Sequence, residues 1–132
     1  MPMTDTPLMR GLERVLDRSA LRHQVIAANL ANIDTPGYRT RDLRPFAGEI
    51  EQAMATADAQ FGEQSMREPF FTPTPVAHEI SGLLERPDGN NVSVERESLL
   101  LAQNQLRFQV AVQFLKAEFH RLSSAITGGS AS

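Results

Sequence analysis

No cysteine occurs anywhere in the chain, which excludes a disulfide framework and any thiolate-ligated metal. Tryptophan is also absent, and aromatic residues make up only 6% of the 132 positions, thin provision for a compact globular core. No excess of positive charge exists to attract nucleic acid, because the formal net charge is −3. No apolar run approaches the roughly 18 residues that would suggest a membrane span. The N-terminal stretch MPMTDTPLMRGLERVLDRSA lacks a basic start followed by an apolar core, the pattern of a secretory signal peptide. By the general export route the chain is therefore expected to stay in the cytosol, with a specialised route left open.

Apolar residues gather at the two ends, and the middle is polar and dotted with proline. The expectation is an all-α, single-domain chain spanning 1–132. Long N- and C-terminal helices (6–33 and 93–127) pair as an antiparallel, coiled-coil-like hairpin. Segment 34–92 holds a turn, a short helix and an irregular, partly disordered loop.

The first helix is predicted to start at Thr6-Pro7, a capping residue followed by a proline at the first helical position. Leu8, Leu12, Val15, Ile26, Leu30 and Ile33 form its stripe, interrupted near Ser19 and Arg22, and Leu16, Ala20, Ala27 and Ala31 form a weaker second face. The helix should end near Asn32, because Thr35 precedes Pro36 and is pushed out of helical geometry. Thr35-Pro36-Gly37-Tyr38 has the type II turn pattern. Phe46, Ile50 and Met54 suggest a short amphipathic helix, and residues 76–84 a short strand or turn.

Ser93 is placed to cap the second long helix, with Glu95 and Glu97 near its positive end. Leu101, Phe108, Val112, Leu115, Phe119, Leu122 and Ile126 then form a seam of sevens, fours and threes. Leu99, Leu106, Val110, Phe114 and Ala117 lie beside it as a second stripe. Two stripes exceed what one partner helix covers, which favours an assembly over a simple dimerising hairpin. Gly128-Gly129 is expected to end the helix.

No catalytic or cofactor signature stands out. His23, His78 and His120 fall in separate segments without ligand spacing, so no metal site is expected. Asp88-Gly89-Asn90-Asn91 reads as a turn, since Val92 stands where a calcium loop needs an oxygen ligand. Asn91-Val92-Ser93 matches a glycosylation sequon, read as chance without a signal peptide. Arg39, Arg41 and Arg44 are either a solvated loop or salt-bridge donors to a partner subunit.

The stretch HQVIAANLANIDTPGYRTRDL, from His23 to Leu43, resembles the N-terminal signature of the flagellar axial proteins, the rod, hook and hook-associated subunits. Ala28, Asn29, Leu30, Ala31, Asn32, Thr35, Pro36, Gly37 and Tyr38 carry the match. DGNNVSVERESLLLAQNQLRFQVAVQFL, from Asp88 to Leu115, is similar to the D-G-N-x-V-[DN]-x-x-x-E block of one kind of proximal-rod subunit. Ser93 departs from that block's frequent acidic residue but still serves as a cap.

The resemblance implies a structural, non-enzymatic subunit, exported unfolded by the flagellar type III apparatus and packed through its terminal helices into the periplasmic rod. Implied partners are further copies of the chain, other proximal-rod subunits (FlgC and FlgF), the basal-body protein FliE and the export gate. No nucleic acid or small-molecule substrate is implied. Phe46 and Ile50 fit an F-x-x-x-apolar export element, or equally a face packed within the subunit. Ala27, Ala28 and Ala31 would let another helix approach closely. Asn29 and Asn32 can hydrogen-bond to exposed carbonyls at the helix end or to a neighbouring chain, and since an unpaired buried amide costs about 1–3 kcal/mol they are expected to be satisfied only once neighbours are in place. The rivals are a cytosolic helical adaptor or chaperone and, more remotely, a peptidoglycan hydrolase using Glu79 or Glu85.

Overall fold

The computed structural model describes residues 7–45 and 75–130. Helix α1 runs Pro7–Ala31 and helix α2 runs Val94–Ser130. Between them lie two short strands, β1 at Arg41–Leu43 and β2 at Ala77–Glu79. The strands pair antiparallel, with Asp42 opposite His78. The predicted short helix around Phe46, Ile50 and Met54 lies outside the described residues.

The two helices pack against each other, and β1 packs on α1. Their direction follows from two contacts. Asn29 meets Glu97, and Ser19 meets Asn104, so α1 descends as α2 ascends and the pair is antiparallel. At 1.5 Å per residue, α1 with 25 residues spans about 37 Å and α2 with 37 residues about 55 Å. The pair is level near Asn29 and Glu97, so α2 runs roughly 18 Å past the start of α1.

Each helix boundary has a local cause. At the start of α2, Ser93 Oγ accepts the Arg96 amide at 3.3 Å, and Glu95 and Glu97 occupy the first turn. At the end of α1, the Asn32 amide shares the carbonyls of Ala28 and Asn29, at 3.1 and 3.2 Å. The chain then turns. Tyr38 N donates to Thr35 O at 3.2 Å and Gly37 has φ +73, a type II turn whose third residue needs the left-handed region. The other end of α2 departs from expectation, because the helix continues through Gly128 and Gly129 to Ser130. Glycine in a helix costs about 1 kcal/mol relative to alanine, which weakens a last turn without forbidding it, and neither glycine takes positive φ.

The seam between the helices is not the apolar line that periodicity suggests. Its most buried residues on α2 are Glu97, Asn104, Ala111 and Glu118, one every seven positions. Leu101, Leu115 and Leu122 flank that line half-buried, as does Val112, whereas Phe108, Phe119 and Ile126 are exposed. On α1 the buried residues are Ser19, Ile26 and Asn29. Ser19 and half-buried Arg22, which look like breaks in the apolar stripe, are therefore part of the seam.

Candidate functional site

Asn29 sits in the last turn of α1 with no exposed surface. Its amide uses its full hydrogen-bonding capacity. Nδ2 donates to the Arg41 carbonyl at 2.7 Å and to Glu97 Oε2 at 3.0 Å. Oδ1 accepts from Tyr38 OH and from the Arg41 amide, each at 3.1 Å. The side chain thus bonds both polar groups of one β1 residue, as a neighbouring strand would, and ties that strand to α2. Asn32 does the same on a smaller scale, its Nδ2 donating to Ala28 O at 2.8 Å and its Oδ1 accepting from Thr35 Oγ1 at 3.0 Å. The expectation that these amides wait for neighbouring subunits is therefore overturned. The turn after α1 folds back and supplies the partners from the same chain.

The turn is held from the other half of the chain. Asn90, fully buried, donates through Nδ2 to the carbonyls of Asn32 and Thr35, both at 2.9 Å, and accepts the Val92 amide at 2.8 Å. Gly37 N donates to Asp88 O at 2.9 Å, and Arg86 donates to Ile33 O. Asn91 accepts the Thr40 amide through Oδ1 at 2.6 Å, and Thr40 Oγ1 donates to its carbonyl at 3.1 Å. Asn91 Nδ2 has no protein partner among the described residues. Asp88-Gly89-Asn90-Asn91 is thus the turn expected, but its work is to grip residues 32–40.

Charge completes the cluster. Asp42 is buried and accepts a two-pronged bond from Arg22, Nε to Oδ1 and Nη2 to Oδ2, both at 2.9 Å. That hydrogen-bonded pairing raises the Arg22 pKa against the opposing effect of burial, with further support from the charges of Asp42 and Glu97. Arg96 approaches Asp42 at 3.9 Å and binds Glu97 Oε1 at 2.6 Å. A chain of alternating charges therefore runs from α1 through β1 to the start of α2. Arg39 pairs with Glu85 at 2.9 Å, so this member of the basic cluster is engaged within the subunit, and Arg41 is exposed.

The other predicted positions lie elsewhere. Ala28, Ala31, Thr35, Pro36 and Gly37 are exposed, and Tyr38 is half-buried. Ala27 is exposed as well. On α2, Leu99, Leu106, Val110, Phe114, Phe119 and Ile126 all present more than two fifths of their surface, Leu106 and Phe114 reaching 62%. Phe46 and Ile50 lie outside the described residues. Among the described residues no group of His, Cys, Asp and Glu is arranged to hold a metal, and no helix is long and apolar enough to cross a membrane.

A model of the family described as "Flagella basal body rod protein" matches residues 16–39, the end of α1 and the turn that Asn29 and Asn90 hold. The flagellar basal body rod protein FlgB of Bacillus subtilis is 33% identical over 92% of this chain and 94% of its own length. The Escherichia coli protein of that name is 30% identical, and the Salmonella typhimurium one 28%, with the same coverage. These matches make the chain a flagellar rod protein, a structural subunit of the basal body of a family not known as enzymes. The chain belongs to the FlgB family of flagellar basal body rod proteins.

Proposed function

We propose that the chain is a proximal-rod building block, exported unfolded by the flagellar type III apparatus. At the growing tip in the periplasm it polymerises through its terminal helices into the tube that transmits torque. The observation that carries this reading is the outer face of α2. Leu99, Leu106, Val110 and Phe114 stay exposed after the helices have paired, and contiguous apolar patches of this kind mark association surfaces. Phe119 and Ile126, which belong to the other stripe, add exposed apolar surface on a different side of α2 toward and along the part that overhangs α1. The partners in this reading are further copies of the chain, FlgC, FlgF, FliE and the export gate. The whole of 1–132 acts as one rod-subunit domain. The signature residues Ala28, Ala31, Thr35 and Pro36, exposed around the held turn, supply a low-relief surface that neighbouring helices approach. Asn29, Asn32, Gly37 and Tyr38 set its shape.

Phe119→Asp tests the assembly role. Phe119 is 57% exposed, so the subunit should fold and reach the periplasm while rods fail to grow, because the neighbour would bury an unpaired charge. Recovery of the variant from purified basal bodies, in cells that swim, would overturn the reading. A wild-type chain confined to the cytosol and absent from basal bodies would favour an adaptor or chaperone. For export, Phe46→Ala should strand the chain in the cytosol if Phe46 and Ile50 are read by the gate. Normal periplasmic levels would remove them from that role.

A further inference from the structure

The polar line inside the helix pair has a consequence separate from assembly. Leu101, Phe108, Leu115 and Leu122 recur every seven residues on α2. Sliding α2 along α1 by one heptad therefore returns a Leu or Phe to all of those positions except the end one, which receives Val94 or Gly129. Beyond the grip of Asp88, Asn90 and Asn91 on the turn, apolar burial along the helix pair discriminates poorly between the native alignment and its neighbours. The innermost residues do discriminate, because Glu97, Asn104, Ala111 and Glu118 are chemically unlike one another.

We propose that Glu97 and Asn104 set the register of the helix pair. In the native alignment Asn104 Nδ2 donates to the Ser19 carbonyl at 2.8 Å, and Glu97 accepts from Asn29 at 3.0 Å. A slip that brings Ala111 to Ser19 leaves that carbonyl without its side-chain donor and puts one carboxamide, Asn104, against another, Asn29. A slip the other way sets the Glu97 carboxylate against the Ser19 carbonyl, acceptor facing acceptor. The second slip buries a carboxylate with no donor facing it, and the first gives up the Asn104 bond to Ser19 and the Asn29 bond to Glu97, so each wrong register loses polar pairing that the native one has. Buried polar residues at core positions of paired helices fix alignment in this way, at some expense of stability. The register also decides which residues of α2 overhang α1, and so what the outer face presents.

The cysteine-free sequence allows a direct measurement. Cysteines replacing Gln24 and Gln113, both exposed and offset along the pair, carry nitroxide labels. The full chain is diluted with unlabelled protein so that only intramolecular distances are read by pulsed electron resonance. The parent should give one distance. Asn104→Leu should keep its helix content and add a second distance, displaced by up to about 10 Å, seven residues at 1.5 Å each. The double variant Glu97→Leu with Asn104→Leu should populate it further. Ala111→Leu, which adds bulk on the same line without removing a polar group, should keep one distance. A single unchanged distance in Asn104→Leu overturns the proposal, as does an equal second population in Ala111→Leu. If the double variant does not fold, Asn104→Leu alone decides.

Discussion

The line of α2 turned toward α1 buries Glu97, Asn104, Ala111 and Glu118, whereas Leu99, Leu106 and Val110 on its other sides stay exposed, as does Phe114 beside the seam. An ordinary surface helix has these the other way round. The difference separates two tasks. Polar groups in the seam contribute little net stability each, but an unpaired one is costly, so they select one arrangement. Large apolar side chains are undiscriminating and supply area, and area facing outward is useful only to a neighbour. In this FlgB-family chain the inner line fixes how the two helices meet, and the proposed assembly would draw on the exposed apolar side chains.

The largest test of this division is Asn29→Leu, which keeps the size of the side chain and removes its polarity. Four hydrogen bonds disappear, stranding both polar groups of Arg41, the Tyr38 hydroxyl and one oxygen of Glu97. With about 1–3 kcal/mol for each buried group left unsatisfied, and water reaching the half-buried ones, the expected loss is about 3 kcal/mol in urea denaturation. A loss below that of an exposed α2 substitution would break the comparison.

Gly89→Ala comes next. Gly89 has φ +85, and a Cβ there would lie 3.4 Å from Gly37 Cα. The left-handed backbone alone costs a side chain about 1–2 kcal/mol, and the close approach adds to it. Gly37→Ala, with φ +73 and open space around it, should cost less. Equal losses would mean that the two turns are not pressed together as the Gly37 to Asp88 hydrogen bond implies.

These two sites also show what was legible in advance. Local chemistry was readable: the Ser93 cap, the Thr35-Pro36-Gly37 turn and the end of α1 each depend on neighbours in sequence. The partners of Asn29 and Asn90 were not, because they lie up to 68 residues away. An asparagine carries no periodic signal to point at them. Ser19 and Arg22 were misread for a related reason. A count of apolar residues treats polar members of a seam as gaps, although the spacing from Leu12 through Ser19 to Ile26 is an unbroken run of sevens. A polar residue at a stripe position with a long-range donor or acceptor available is the signal that periodicity discards.

Phe114→Ser sharpens the comparison from the outer side. The ring is 62% exposed, and surface substitutions usually stay within about 0.5 kcal/mol, so the dilute monomer should unfold at nearly the parent urea concentration. Self-association measured by sedimentation should fall instead. A clear loss of monomer stability would mean that the outer face is engaged within the subunit.

Glu118→Gln should have the smallest effect, and one visible only in acid. The Glu118 carboxyl is held below the usual carboxylate range by hydrogen bonds from Arg121, one helical turn on, at 2.7 and 3.0 Å, with burial opposing the shift. A carboxyl whose folded pKa lies below its unfolded value, about 4.3 for glutamate, contributes stability that is fully present above that unfolded value. The contribution is lost as pH falls through the lowered folded value. Glutamine has no proton to take up, so the variant's urea midpoint should fall less steeply on acidification than the parent's. The two curves should converge at low pH from a small gap at neutral pH, as expected for a same-helix pair whose arginine is two-thirds exposed. Parallel curves would mean that Glu118 is placed in the seam by packing alone. The inner line would then owe its polarity in that last turn to something other than this ion pair.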